Sequence, residues 1–486
     1  MKRFITSILI LSCIVACREE VDEVVTPSRV FNNIKIVGLP EKTTFCIGET
    51  LDFTGLKVVE VFTDGFEREI NNYTIQNDYN RFKTGRYTIM ITVASRNKTQ
   101  SFDINIENKL VDTGLPVIFV ETDYGQSILT KTDYVNAMMT IVHKGDTVYR
   151  GRHGIRGRGH ATWTYPKKPY RVKLDSKANL LGMDADKDWC IMPNYCDKTL
   201  MRTSIALKMS ELLEFPWTPK ARYVEFVLNG QYEGNYQIIE AIKQDSKRVN
   251  IPETGFIVER DGYYNQEAIW FTTTKYGFSF KNPKEKNLTS PQFEYIKDYL
   301  NEFEQVLYSN SFKDPVNGYA KYIHPESFAR WFLLHMLIAN IDTDPYLVKE
   351  DMTPQSKLSM GPVWDFEWSM GIGWYEGSRP RPADYYVTYS DFYSHRLLQD
   401  PRFASILQRM WDVYHVRAQQ GILQLFIDVP SEIMQSQKLN FERWDILNTR
   451  VSVGGIPLGS FEKEVECDRQ FFINRMNWVA SIINNF

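Results

Sequence analysis

Ile155-Arg156-Gly157-Arg158-Gly159-His160-Ala161-Thr162-Trp163, closely followed by Lys167-Lys168-Pro169-Tyr170-Arg171-Val172-Lys173-Leu174-Asp175, is the stretch that decides how this chain folds. In the second run Arg171 and Lys173 share one face and Val172 and Leu174 the other, the period of a strand. The first run extends back to Tyr149 and packs four arginines and four glycines into twelve residues. Glycines let the backbone approach an anion, and arginines grip phosphate or carboxylate bidentately. No Gly-Lys-Ser/Thr follows, so this is not a Walker-type loop. The run is also too short for an RGG-type RNA segment. Taken alone it equally fits a twisted β-hairpin with solvated arginines.

Outward from this stretch the pattern stays strand-like. Val117 to Glu121, Tyr223 to Leu228, Tyr236 to Glu240 and Phe256 to Glu259 are short apolar or alternating runs, and Asn229-Gly230 is a hairpin signal. Helical spacing appears once early, at Met201 to Leu213. It returns at Phe293–Leu307, Phe328–Ala339, Phe403–Ile422 and Phe471–Ile483. A strand-rich part over 113–285 followed by a helix-rich part over 286–486 predicts an α+β fold with its cleft between the two. Trp411, Trp444 and Trp478 read as helical core. His324, His335, His395 and His415 are too scattered to suggest a site.

Two apolar runs in the helical part end in acids. Leu333 to Ala339 leads to Asn340-Ile341-Asp342-Thr343-Asp344, and Met360 to Trp364 leads to Asp365-Phe366-Glu367. Rigid apolar elements hold polar groups well at their ends. Two such acids suit a divalent cation and an oriented nucleophile, the needs of phosphoryl transfer. Each alone would also serve as a helix or turn cap. An Asp/Glu pair beside Trp364 and Trp368 also raises glycoside hydrolysis, which the order of the motifs does not support.

The N-terminal region differs. Lys2 and Arg3 precede a short apolar run, Phe4 to Val15, ending Ile14-Val15-Ala16-Cys17. This resembles the lipobox of bacterial lipoproteins, which implies a signal peptide over 1–16 and a lipid on Cys17. The acidic run after it, in a tether over 17–29, looks like the surface-export signal of Bacteroidetes lipoproteins. The expectation is an outer-membrane lipoprotein, held by lipid and displayed outward at the cell surface. From 30 to 108 short alternating strands, with Thr63-Asp64-Gly65 as a hairpin turn, predict a small β-sandwich. Gly48 to Leu56 resembles the start of bacterial Ig-like repeats, and the domain reads as a spacer. A formal net charge of −3 offers no basic surplus for nucleic acid. Cys46, Cys190, Cys196 and Cys467 make no disulfide framework, although Cys190 and Cys196 are near enough in sequence to pair.

The ordered motifs Ile155 to Trp163, Lys167 to Leu174, Asp188 to Asp197, Asn229 to Glu240, Gly255 to Asp261 and Trp364 to Glu367 resemble the spore-coat protein H (CotH) kinase family over about 115–486. The resemblance implies an atypical, two-lobed protein-kinase-like domain that uses ATP and Mg²⁺ or Mn²⁺ to phosphorylate serine on protein. By position, Asp365 is the implied metal-binding acid and Asp342 the catalytic acid. Lys173, with Arg156 or Arg171 as competitors, contacts phosphates, and Glu240 pairs with that lysine. Glu259 and Asp261 line the nucleotide pocket or only form salt bridges. Asp344 stands where an asparagine is expected and Glu367 where a second aspartate is common. Both keep oxygen ligands that a hard cation accepts. Because ATP is scarce outside the inner membrane, the alternative is an inactive kinase-like scaffold that binds glycan or protein at the surface.

Overall fold

The computed structural model describes residues 28–341, 344–372, 384, 392–451 and 456–486. The expected signal segment, Cys17, most of the tether and Asp342 lie outside the described residues. The chain divides into two compact units, one drawn from residues before Ile106 and one running from Ile106 to Phe486 together with Cys46–Thr50 and Asn80–Gly85.

The N-terminal strands are β1 (Phe31–Gly38), β2 (Thr44–Ile47), β3 (Lys57–Phe62), β4 (Glu67–Ile70), β5 (Thr74–Asn77), β6 (Gly85–Val93) and β7 (Lys98–Leu110). They form a three-stranded sheet, β1-β3-β4, and a four-stranded sheet, β2-β7-β6-β5. The inward positions of both, among them Phe45, Val58, Ile89, Ile91, Phe102 and Ile104, make one core. That is the small sandwich the alternation predicts. Gly65 has φ +80° and closes the β3–β4 turn, as Asp-Gly foretells.

The second unit begins with a closed barrel. Its strands are β8 (Val117–Thr122), β9 (Val135–His143), β10 (Asp146–Gly157), β11 (Tyr170–Ala178), β12 (Asp186–Met192), β13 (Ala221–Leu228) and β14 (Gln231–Glu240). They are ordered β10-β11-β12-β14-β13-β8-β9 and are antiparallel except for β8 with β13. Ile118, Met139, Ile155, Val172, Trp189, Phe226 and Ile238 fill the interior. The opposite face is not simply solvated. Cys190, Met192, Tyr223 and Ile239 belong to the larger core shared with the helices. Both Cys190 and Cys196 are buried and neither is in a disulfide, so the two do not pair.

Helix α1 (Arg202–Leu212) sits between β12 and β13 in sequence. Beyond the barrel come β15 (Phe256–Arg260), β16 (Trp270–Thr272) and β17 (Gly277–Asn282), then α2 (Ser290–Leu307) and α3 (Pro325–Ile338). Thr289 and Gln292 form a reciprocal cap at the start of α2. The chain then returns to strand, β18 (Tyr346–Lys349) and β19 (Ser359–Met360), before α4 (Ser394–Leu397), α5 (Pro401–Glu432), α6 (Met434–Arg443) and α7 (Phe461–Ile482). The fold is α+β, with one departure from a clean strand-then-helix order. β18 and β19 complete a second sheet, β16-β17-β15-β18-β19. Asp344 and Asp365 therefore stand just before β18 and just after β19, at the two ends of this strand pair. Ile205, Leu300, Leu333, Leu407, Trp411 and Phe472 lie in the large core, with Trp444 and Trp478 packed on it. No described helix is long and apolar enough to cross a membrane.

Candidate active site

The Asp365 loop is held from below by α3. Its last residues turn through Ala339, at φ +48°, so that the Ile338 carbonyl accepts from the Met370 N–H at 2.8 Å. Asn340 donates through Nδ2 to the Asp365 carbonyl at 3.1 Å. Phe366 is buried and packs on His335, ring centroids 5.4 Å apart. Ser369 donates from both N and Oγ to the Phe366 carbonyl. Pinned at both ends, the loop holds Asp365 at φ +64°, a left-handed conformation uncommon outside glycine and typical of functional positions.

Asp365 and Glu367 line a pocket with Met192, Thr203, Leu207, Ile239, Val363, Trp364 and Phe366. Residues from the outer barrel face, α1 and the Asp365 loop thus meet here. The Asp365 side chain is open to solvent at the pocket surface. Protein nonetheless crowds it enough to raise its carboxyl above the ordinary range, and Arg158 offsets this only in part. Glu367 is 4% exposed, and its Oε1 has no hydrogen-bond partner among the described residues. Burial, reinforced by the charges of Asp365 and Asp197, pushes it up to about 8. Asp344 is raised by burial as well. Arg260, at 2.6 Å, pulls it back, while Asp261 and Asp365 push it further up.

Arg158 is the cation whose charge reaches both Asp365 and Glu367, and the buried Lys167 also acts on Glu367. The Arg158 guanidinium lies 5.2 Å from the centroid of the Trp364 ring and its Nη1 is 2.8 Å from the Met192 sulfur. Two glycines shape the turn that carries it. A Cβ at Gly157 would stand 2.6 Å from the Trp163 ring, and Gly159 has φ +78°. Arg158 is two residues beyond Arg156 and just past the end of β10.

The other expected cations are placed elsewhere. Lys173 is exposed, and its side chain makes no hydrogen bond or ion pair among the described residues. Arg171 pairs with Asp188 at 3.1 Å. Arg156 donates to the Lys131 carbonyl and lies 5.1 Å from the Tyr134 ring centroid. Glu240 does not meet Lys173. Lys173 is across from Asp188 and Glu240 is across from Trp189, so adjacent positions of β12 put them on opposite faces. Glu240 instead accepts the Lys220 N–H at 2.9 Å. Glu259 forms a salt bridge with Lys281 at 2.7 Å, and Asp261 accepts the Tyr263 N–H at 2.7 Å.

Other charges in the quoted motifs are structural. Lys167 is buried and donates to the carbonyls of Pro193 and Asn235 and to Asn440 Oδ1. Asp197 caps the turn into α1 by accepting from Thr199 and Arg202 N–H. Its carboxylate also pairs with the Arg202 guanidinium, which reaches Asp468 at 2.7 Å and the Ser369 carbonyl at 3.1 Å.

A family model described as CotH kinase protein matches residues 155–479, about two thirds of the chain. The chain belongs to the CotH kinase family. A second model, bacterial Ig-like domain (group 3), matches residues 39–106 of this CotH kinase family member, over its N-terminal sandwich. No curated protein matches it. The match spans the Arg158 turn, Arg202, Asp344, Asp365 and Glu367, so the pocket lies wholly within the CotH region.

Proposed function

We propose that this protein transfers the γ-phosphoryl group of ATP to a serine hydroxyl of a protein substrate, with Mg²⁺ or Mn²⁺. The observation that carries the proposal is the strained, firmly anchored Asp365 beside a buried Glu367 with an unpartnered oxygen and facing Arg158. These residues fit a hard cation, since Asp365, Glu367 and Asp344 supply only oxygen donors. When bound, the cation would neutralise charge on the phosphate oxygens.

The chain's own groups do the rest. Arg158 binds and orients phosphate at the pocket, and its planar guanidinium suits two oxygens at once. The α3 C-terminus and Asn340 keep Asp365 in place, so its position costs no reorganisation during the reaction. Asp342 orients the serine hydroxyl and accepts its proton. We infer display at the outer-membrane surface through a lipid on Cys17, with the Ig-like domain as spacer and no nucleic-acid partner.

One observation favours a second reading. Asp344 is already engaged by Arg260 at 2.6 Å, which suits a scaffold that binds glycan or protein without catalysis. Incubation with γ-labelled ATP, Mg²⁺ or Mn²⁺ and surface proteins separates the two. Label on phosphoserine, absent with Asp365→Asn, supports transfer. No label on any protein with either metal leaves the scaffold.

A further inference from the structure

A second group of ligating side chains lies outside the Asp365 loop, on the Asp344 side of it, with Asp261 near enough to push Asp344 up. His160, Asp261 and Glu267 each present one ligand atom, and these atoms all lie within 4.8 Å of one another. Among the described residues no other three His, Cys, Asp or Glu side chains converge in this way. They come from two separate stretches, the turn after β10 and the turn after β15. We propose that His160, Asp261 and Glu267 form a binding site for a first-row transition-metal dication of the Zn²⁺ class.

Each ligand is prepositioned by something other than the metal. His160 follows Gly159, whose φ of +78° and whose missing Cβ, which would stand 2.2 Å from Thr162 Oγ1, fix the turn. The imidazole stacks on Tyr263, with centroids 4.3 Å apart and planes 18° apart. Asp261 is 7% exposed, and one of its oxygens anchors the turn by accepting from Tyr263 N–H, which leaves the other for an ion. A single helical turn, Tyr264–Gln266, then brings Glu267 back, its N–H donating to the Tyr264 carbonyl at 3.1 Å. Ligands around a tetrahedral Zn²⁺ stand roughly 3.4 Å apart, so small side-chain rotations close the site.

The donor set selects the ion. An imidazole with two carboxylates suits Zn²⁺, Co²⁺ or Mn²⁺, whereas Mg²⁺ prefers oxygen alone. Lys281 is the local competitor, at 3.5 Å from Glu267 and 2.7 Å from Glu259. It has two carboxylates to serve, so Glu259 can keep it when Glu267 turns to an ion. A bound ion would tie the Arg158–Trp163 turn to the end of β15. This inference does not rest on phosphoryl transfer, because metal alone is the probe.

The test is a titration of the metal-free full chain with Co²⁺, followed by visible absorption and by displacement with Zn²⁺. The expected result is the strong visible absorption of low-coordinate Co²⁺, abolished by Zn²⁺ and undisturbed by a large excess of Mg²⁺. Affinity should fall at least tenfold in His160→Ala and in Glu267→Gln, and less than threefold in Asp365→Asn. Glu267 is a half-buried turn residue, so its variant tests the site even if His160→Ala folds poorly. Absence of the absorption, or binding in both variants equal to that of the unaltered chain, overturns the site.

Discussion

Two sets of buried or crowded acids lie within one domain, and they are treated in opposite ways. Asp197 and Asp468 flank Arg202, and all three charged groups are about 1% exposed. Every contact there closes on the protein itself, including the bond from Arg202 to the Ser369 carbonyl. Asp365 and Glu367 stand just before Ser369 in the chain, with Asp344 on the far side of β18 and β19, and all three carboxyls are pushed up. Acids that serve the fold have found their cation. Asp365 and Glu367, which line the pocket, remain in electrostatic deficit, as a site awaiting a positively charged partner should, while Asp344 beside them is held by Arg260. The first set also supports the second, since Arg202 holds the loop that follows Glu367.

The comparison is most severely tested by exchanging the fates of the two sets. Arg202→Met leaves Asp197 and Asp468 buried without their cation and should cost about 3–5 kcal/mol of stability, read by urea denaturation. A loss under 1 kcal/mol would mean the network is not structural. Asp365→Asn should do the reverse, leaving the melting temperature unchanged or raised while phosphoryl transfer drops on the order of a thousandfold.

Glu367→Gln gives a smaller effect with a definite sign. The folded carboxyl titrates near 8, above its ordinary 4.5. Between those values the unfolded chain has lost a proton that the folded chain keeps, so stability falls as pH rises through this window. Without added metal, the variant should therefore gain on the order of 2 kcal/mol relative to the unaltered chain on going from pH 5 to pH 8. An equal difference at both pH values would show that Glu367 is not held protonated. The smallest effect separates the two candidate cations. Arg158→Gln should weaken ATP binding roughly tenfold, about 1.4 kcal/mol. Lys173→Gln, on the exposed face of β11, should leave it within about twofold, and the opposite ranking would restore Lys173.

The sequence disclosed those parts of the fold whose burial is one-sided. β11 alternates cleanly because Val172 and Leu174 enter the barrel while Lys173 stays exposed. The β13–β14 hairpin is announced by Asn229 and Gly230, both at positive φ. β12 passed unnoticed because it is buried on both faces, Trp189 in the barrel and Cys190 in the outer core, and so shows no alternation. β18 and β19 are too short to carry a period, so their return to the β15 sheet was not legible. At the site, the Asp365 and Glu367 motif was legible as acids ending an apolar run. Arg158 was not singled out because spacing cannot say where along a strand the pocket opens. His160 was invisible as a ligand because its partners are about a hundred residues away in the chain.

The most direct test of the central claim is thermal unfolding with ATP and Mg²⁺ or Mn²⁺, for the unaltered chain and for Asp365→Asn. Saturation a hundredfold above the dissociation constant stabilises by about 2.7 kcal/mol. The account predicts a rise in melting temperature that requires both nucleotide and metal and disappears in Asp365→Asn. An equal rise in both proteins, or no rise with either metal in a folded sample, would contradict it.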